Sequence, residues 1–92
     1  MSAEVLDTDE LCRRLAKACA ALRLTAEVQS PTRVRVGATG AGMLAEVIRC
    51  QPDDDEVLRW WWSWGEPFCP ASDEDIDRAA EMIRHVVTPA HA

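Results

Sequence analysis

The sequence predicts an α+β fold: a two-layer α/β sandwich, with a four-stranded antiparallel sheet and two helices on one face, in the order α-β-β-β-β-α. Three observations predict it. Apolar stripes of helical period open and close the chain. Between them, short runs alternate apolar and polar residues, as half-buried strands do. The last of these runs, Leu58-Arg59-Trp60-Trp61-Trp62-Ser63-Trp64, contains all four Trp of the chain.

The elements follow in order. Asp7 is placed as an N-cap, with Glu10 three residues on, an Asp version of the capping box. Acidic residues there also suit the positive end of a helix. Leu11, Leu15, Ala18, Cys19 and Leu22 continue the stripe, so the first helix should run from about Thr8 to Leu22. Leu24, Ala26 and Val28 then alternate with Thr25, Glu27 and Gln29. Ser30-Pro31-Thr32 reads as a turn, and Val34 and Val36 alternate with Arg33 and Arg35, which completes a hairpin.

Gly37-Ala38-Thr39-Gly40-Ala41-Gly42 lacks the Lys-Ser/Thr ending of a phosphate-binding loop and reads as a loose connection. Leu44–Cys50 is a third strand with poorer alternation, and Gln51–Asp55 a solvated turn. The three adjacent Asp lack the spaced oxygen ligands of a calcium loop. Residues 57–64 form the fourth strand, stopped by Gly65 and Pro67, and Pro67-Phe68-Cys69-Pro70 should carry the chain off the sheet. Ser72 is placed as the N-cap of the second helix, with Asp73, Glu74 and Asp75 in its first turn. Ile76, Ala79, Ala80, Ile83 and Val87 give its stripe, and Pro89 ends it.

A chain of 92 residues makes one domain, here 1–92 with frayed ends at 1–6 and 89–92. With 48% hydrophobic and 28% charged residues it is globular. A net charge of −6 argues against direct nucleic-acid binding, which rewards clustered Lys and Arg. The acidic start lacks a signal sequence and no run approaches the ~18 apolar residues of a membrane span, so the expected location is cytoplasmic, without membrane association. Cys12, Cys19, Cys50 and Cys69 are spaced by 7, 31 and 19 residues, without the short pairs of a zinc site. They read as small buried hydrophobes. No metal and no cofactor is expected.

Side chains alternate across a strand, so parity divides the sheet residues between two faces. Trp60, Trp62 and Trp64 fall with Leu58 on the face under the helices. The open face receives Thr25, Glu27, Gln29, Arg33, Arg35, Arg49, Arg59, Trp61 and Ser63. Four of the nine Arg thus surround one Trp in an acidic protein. Polar residues belong on the open face of such a sheet, and pairing of Arg with Glu27 and Trp61 would make it ordinary surface. Arg and Trp are also enriched at binding hot spots, which makes Arg33, Arg35, Arg49, Arg59 and Trp61 the candidate partner-binding residues. An alternative is a ligand pocket lined by Trp60, Trp62, Trp64 and Glu66 between sheet and helices. Catalysis has little support. His85 sits late in a helix, His91 lies in the tail, and Glu66 is a lone carboxylate.

The string Trp60-Trp61-Trp62-Ser63-Trp64-Gly65-Glu66-Pro67, preceded by Arg49-Cys50-Gln51-Pro52-Asp53-Asp54 and followed by an acidic helix start, resembles small actinobacterial proteins of unassigned function. Some of these are encoded near helix-turn-helix regulators. The resemblance covers roughly the C-terminal half and carries over no catalytic residue. It implies a link to regulation through gene neighbourhood. The expected function is therefore a non-enzymatic interaction or regulatory accessory protein. It would bind a protein partner, or itself as a homodimer, through the open sheet face. The alternative is a small-molecule-binding protein using the Trp-lined pocket.

Overall fold

The computed structural model describes residues 7–38 and 45–88. Helix α1 spans Thr8–Ala21, five strands follow as β1 (Leu24–Ser30), β2 (Arg33–Ala38), β3 (Ala45–Pro52), β4 (Leu58–Trp61) and β5 (Pro67–Pro70), and α2 spans Ile76–Val87. The strands form one antiparallel sheet in sequence order, as short connections require. The class is α+β with two helices, but the sheet has five strands rather than four. No helix among the described residues is long and apolar enough to cross a membrane. Residues 39–42 of the glycine-rich loop and Pro89 lie outside the described residues, while Gly37 and Ala38 belong to β2.

The Asp7 carboxylate accepts from the Glu10 N–H at 2.9 Å and starts α1 as its sequence predicts. Leu22 and Arg23 then reverse the chain into β1, with Arg23 at φ 69, a left-handed conformation usually given to Gly. The start of α2 departs from expectation. Ser72 makes no capping bond to a backbone N–H. Its hydroxyl donates instead to the Asp75 carboxylate at 2.8 Å, and Asp73–Asp75 form a single 3₁₀ turn before the helix.

One hydrophobic core joins the layers. Leu11, Leu15 and Cys19 of α1 and Ile76, Ala79, Ala80, Ile83 and Val87 of α2 pack with Val34, Val36, Ile48, Cys50 and Trp60 of the sheet. The strand residues of opposite parity stay outside this core. An ion pair between Arg14, midway along α1, and Asp73 ties that helix to the 3₁₀ turn that leads into α2. All four Cys are free and buried. Burial disfavours the thiolate and pushes Cys12 up to about 11 and Cys19 and Cys50 up to about 12. These thiols are packing groups, protonated at neutral pH.

The Trp segment is where structure and sequence reading part. Strand β4 stops at Trp61, and Ser63-Trp64-Gly65 make a hairpin loop to β5. The Gly65 N–H donates to the Trp62 carbonyl at 3.0 Å and the Trp62 N–H to the Glu66 carbonyl at 2.8 Å. Gly65 has φ 99, the positive value that closes a three-residue hairpin loop of this kind. Pro67-Phe68-Cys69-Pro70 therefore pairs with the sheet instead of leaving it. Ser63 leaves the open face, and its hydroxyl donates to the Glu46 carboxylate at 2.7 Å. The three Trp do not share one buried face. Trp60 is 0% exposed, Trp62 7% and Trp64 57%.

Candidate functional site: the open sheet face

The strand register arranges the outer face in rows. Arg33 lies opposite Arg49, Arg49 opposite Trp61, and Trp61 opposite Pro67, so one row crosses β2, β3, β4 and β5. Glu27, Arg35 and Val47 make a second row, and Gln51, Arg59 and Pro70 a third. All five residues singled out from the sequence, Arg33, Arg35, Arg49, Arg59 and Trp61, lie on this face. Val47, Pro67 and Pro70 were not singled out. They add apolar surface beside the guanidinium groups; parity could have located Val47, but Pro67 and Pro70 share this face only through the register slip of β5.

The ladder fixes how close the charges come. The Cys50 N–H donates to the Thr32 carbonyl at 2.9 Å. Antiparallel pairs alternate between hydrogen-bonded and non-hydrogen-bonded. Thr32 and Cys50 are thus a bonded pair, and Arg33 opposite Arg49 is a non-bonded one. Side chains come closest at non-bonded pairs, and like charges directly opposite destabilise a sheet. Glu27 lies directly across from Arg35, yet no ion pair joins them. Among the described residues, Arg33, Arg35 and Arg49 have no ion-pair partner, and the Arg49 Nε is buried with no acceptor.

Arg59 and Trp61 are held differently. Arg59 pairs with Asp53. Asp53 also accepts from the Asp55 and Val57 N–H groups at 2.8 and 3.0 Å and so organises the β3–β4 turn. The Arg59 bond, and then the two backbone bonds, hold its carboxyl below the usual carboxylate range. The Trp61 indole N–H donates to the Gln51 carbonyl at 2.9 Å, which anchors the half-buried ring on this face. No Arg stacks on it among the described contacts.

Of the residues of the alternative pocket, Trp62, Trp64 and Glu66 come together at the β4–β5 hairpin, while Trp60 is closed off in the core. Trp60 is enclosed between Cys50 and Cys69 in the register, and its indole N–H has no acceptor among the described residues. Trp62 stacks on Phe68 with centroids 3.9 Å apart and on Trp64 at 5.1 Å. Glu66 accepts from the exposed Trp64 indole at 3.2 Å. A groove of about 290 Å³ runs between α1 and α2, lined by Ala18, Ala21, Leu22, Asp77, Ala80 and Glu81. None of the four pocket residues lines it.

Comparison with protein-family models, with curated proteins and with solved structures gives no match.

Proposed function

We propose that this protein is a non-enzymatic interaction module that binds an acidic segment of a protein partner across the open sheet face. The observation that carries the reading is the Arg33–Arg49–Trp61 row. Two cations are held side by side with no counter-charge among the described residues, next to a half-buried aromatic ring. A surface serving only solubility gains nothing from opposing its Arg residues. Carboxylates laid along the row would accept from both guanidinium groups in the bidentate geometry that Arg favours. Trp61, with Val47 and Pro67, would take the apolar side chains of the same segment. Two open faces set against each other would bring Arg rows together, so charge favours an acidic partner over face-to-face self-association. The resemblance to proteins encoded near regulators fits an accessory role in regulation.

The experiment is a fluorescence anisotropy titration with a labelled amphipathic peptide alternating Glu and Leu. The reading predicts saturable binding that weakens with salt, because exposed charges are screened over ~8 Å at physiological ionic strength. It also predicts loss of about 30-fold in affinity in Trp61→Ala, the scale of a hot-spot aromatic. Equal affinity in Trp61→Ala and Arg49→Met would remove the site from this face.

A further inference from the structure

The two edges of the sheet are not alike. Strand β5 is four residues long, bounded by Pro67 and Pro70. Its register slips between Trp60 and Trp61, leaving Phe68 as a bulge. The Ala71 N–H donates to the Leu58 carbonyl at 2.9 Å, which makes the even positions of β4 the ones bonded to β5 and turns the backbone of Pro70 outward. Pro70 has no N–H to offer. A short, bulged, proline-bearing edge is how sheets are protected from pairing.

Strand β1 has none of these devices over its first five residues. It is seven residues long, contains no Pro and slips register only after Val28. The alternation of the β2–β3 ladder also locates the outward groups of β1. Thr32 and Cys50 are bonded, so even positions of β2 face β3 and odd positions face β1. Glu27 opposite Arg35 and Thr25 opposite Gly37 are therefore the bonded pairs of β1 with β2. The N–H and C=O groups of Leu24, Ala26 and Val28 point away from the sheet, and β1 ends the strand order among the described residues.

We propose that this edge joins a second copy of the same chain, β1 against β1 in antiparallel pairing, about a two-fold axis at Ala26. The occupant follows from the side chains. That register sets Ala26 against its own copy and Leu24 against Val28 of the other chain, as hydrogen-bonded pairs that use all three outward positions. On the open side it sets Thr25 against Glu27 of the other chain, twice. On the helix side every pair is apolar, and the half-buried Ala26 and Val28 become covered. Shifting the axis to Glu27 would set the two carboxylates directly opposite each other. The proposed register avoids this, and it leaves the Arg rows of both copies open.

The test is sedimentation equilibrium from micromolar to millimolar concentration on three variants. Thr25→Glu creates two like-charge cross-strand pairs and should raise the dimer dissociation constant about three- to thirtyfold. Thr25→Lys creates two opposite-charge pairs and should lower it. Both lose the same Thr25 hydroxyl bond to the Gly37 carbonyl, so the sign of their difference reports the register. Ala26→Pro removes an outward N–H at a position where an edge strand tolerates Pro, and should abolish the dimer while far-UV circular dichroism stays native. If Ala26→Pro fails to fold, the Thr25 pair still decides. A monomer at all concentrations, or a dimer that responds equally to Thr25→Glu and Thr25→Lys, overturns the proposal.

Discussion

Trp61 and Trp62 are neighbours in sequence with opposite duties. Trp62 is in the core and stacks on Phe68, so Trp62→Ala should destabilise the protein by roughly 3–5 kcal/mol. Trp61 is half-buried on the outer face and held by one bond to the Gln51 carbonyl, so Trp61→Ala should cost far less. Chemical denaturation of the two variants checks this, and the reverse order would mean the faces are exchanged. Arg33 gives a second residue-scale expectation. Replacing it with Thr removes the like-charge opposition to Arg49 and supplies a strand-favouring side chain, so Arg33→Thr should raise stability by about 0.2–1 kcal/mol while weakening acidic-peptide binding. A loss of stability in that variant would show that the row is self-satisfied. The parity of these residues was legible in the sequence because the period of two holds without interruption through Thr25–Val28, Arg33–Val36 and Leu58–Trp61. Trp64 was misplaced because the alternation was carried three residues past the point where the strand ends.

At the scale of elements, the β4–β5 hairpin is the feature that hydrophobic periodicity hid. Four Trp in a five-residue span satisfy a strand pattern whether or not the backbone turns. The deciding signal was Gly65, which offers the positive φ that the loop needs. Helix α1 was legible almost to the residue because cap and stripe agree. The start of α2 was not, since Ser72 finds the Asp75 carboxylate a better partner than a backbone N–H. The β3–β4 turn depends on one ionised group. The carboxyl of Asp53 is held below its ordinary range by Arg59 and two amides. A depressed carboxyl contributes stability above its unfolded value of ~3.9 and loses it as pH falls through the folded value. Asp53→Asn should therefore melt below the parent protein at neutral pH, with the gap closing below about pH 4. A gap independent of pH would mean that the ion pair contributes nothing.

Across the whole molecule, charge is sorted rather than mixed. The chain carries a net charge of −6, yet Arg33, Arg35, Arg49 and Arg59 share one sheet face, while acidic residues cluster at the helix starts and in the β3–β4 turn. Such sorting would steer the proposed acidic partner toward one side and away from the other. Composition could show the net charge but not the sorting, which needs the strand register. The measurement that tests the central claim most directly is a two-dimensional amide and indole NMR titration with the Glu–Leu peptide. The account predicts that shifts concentrate at Arg33, Arg35, Val47, Arg49 and the Trp61 indole N–H, and spare the core indole of Trp60. Shifts confined to Ala18, Leu22 and Ala80 between the helices, or none at the Trp61 indole, would contradict it.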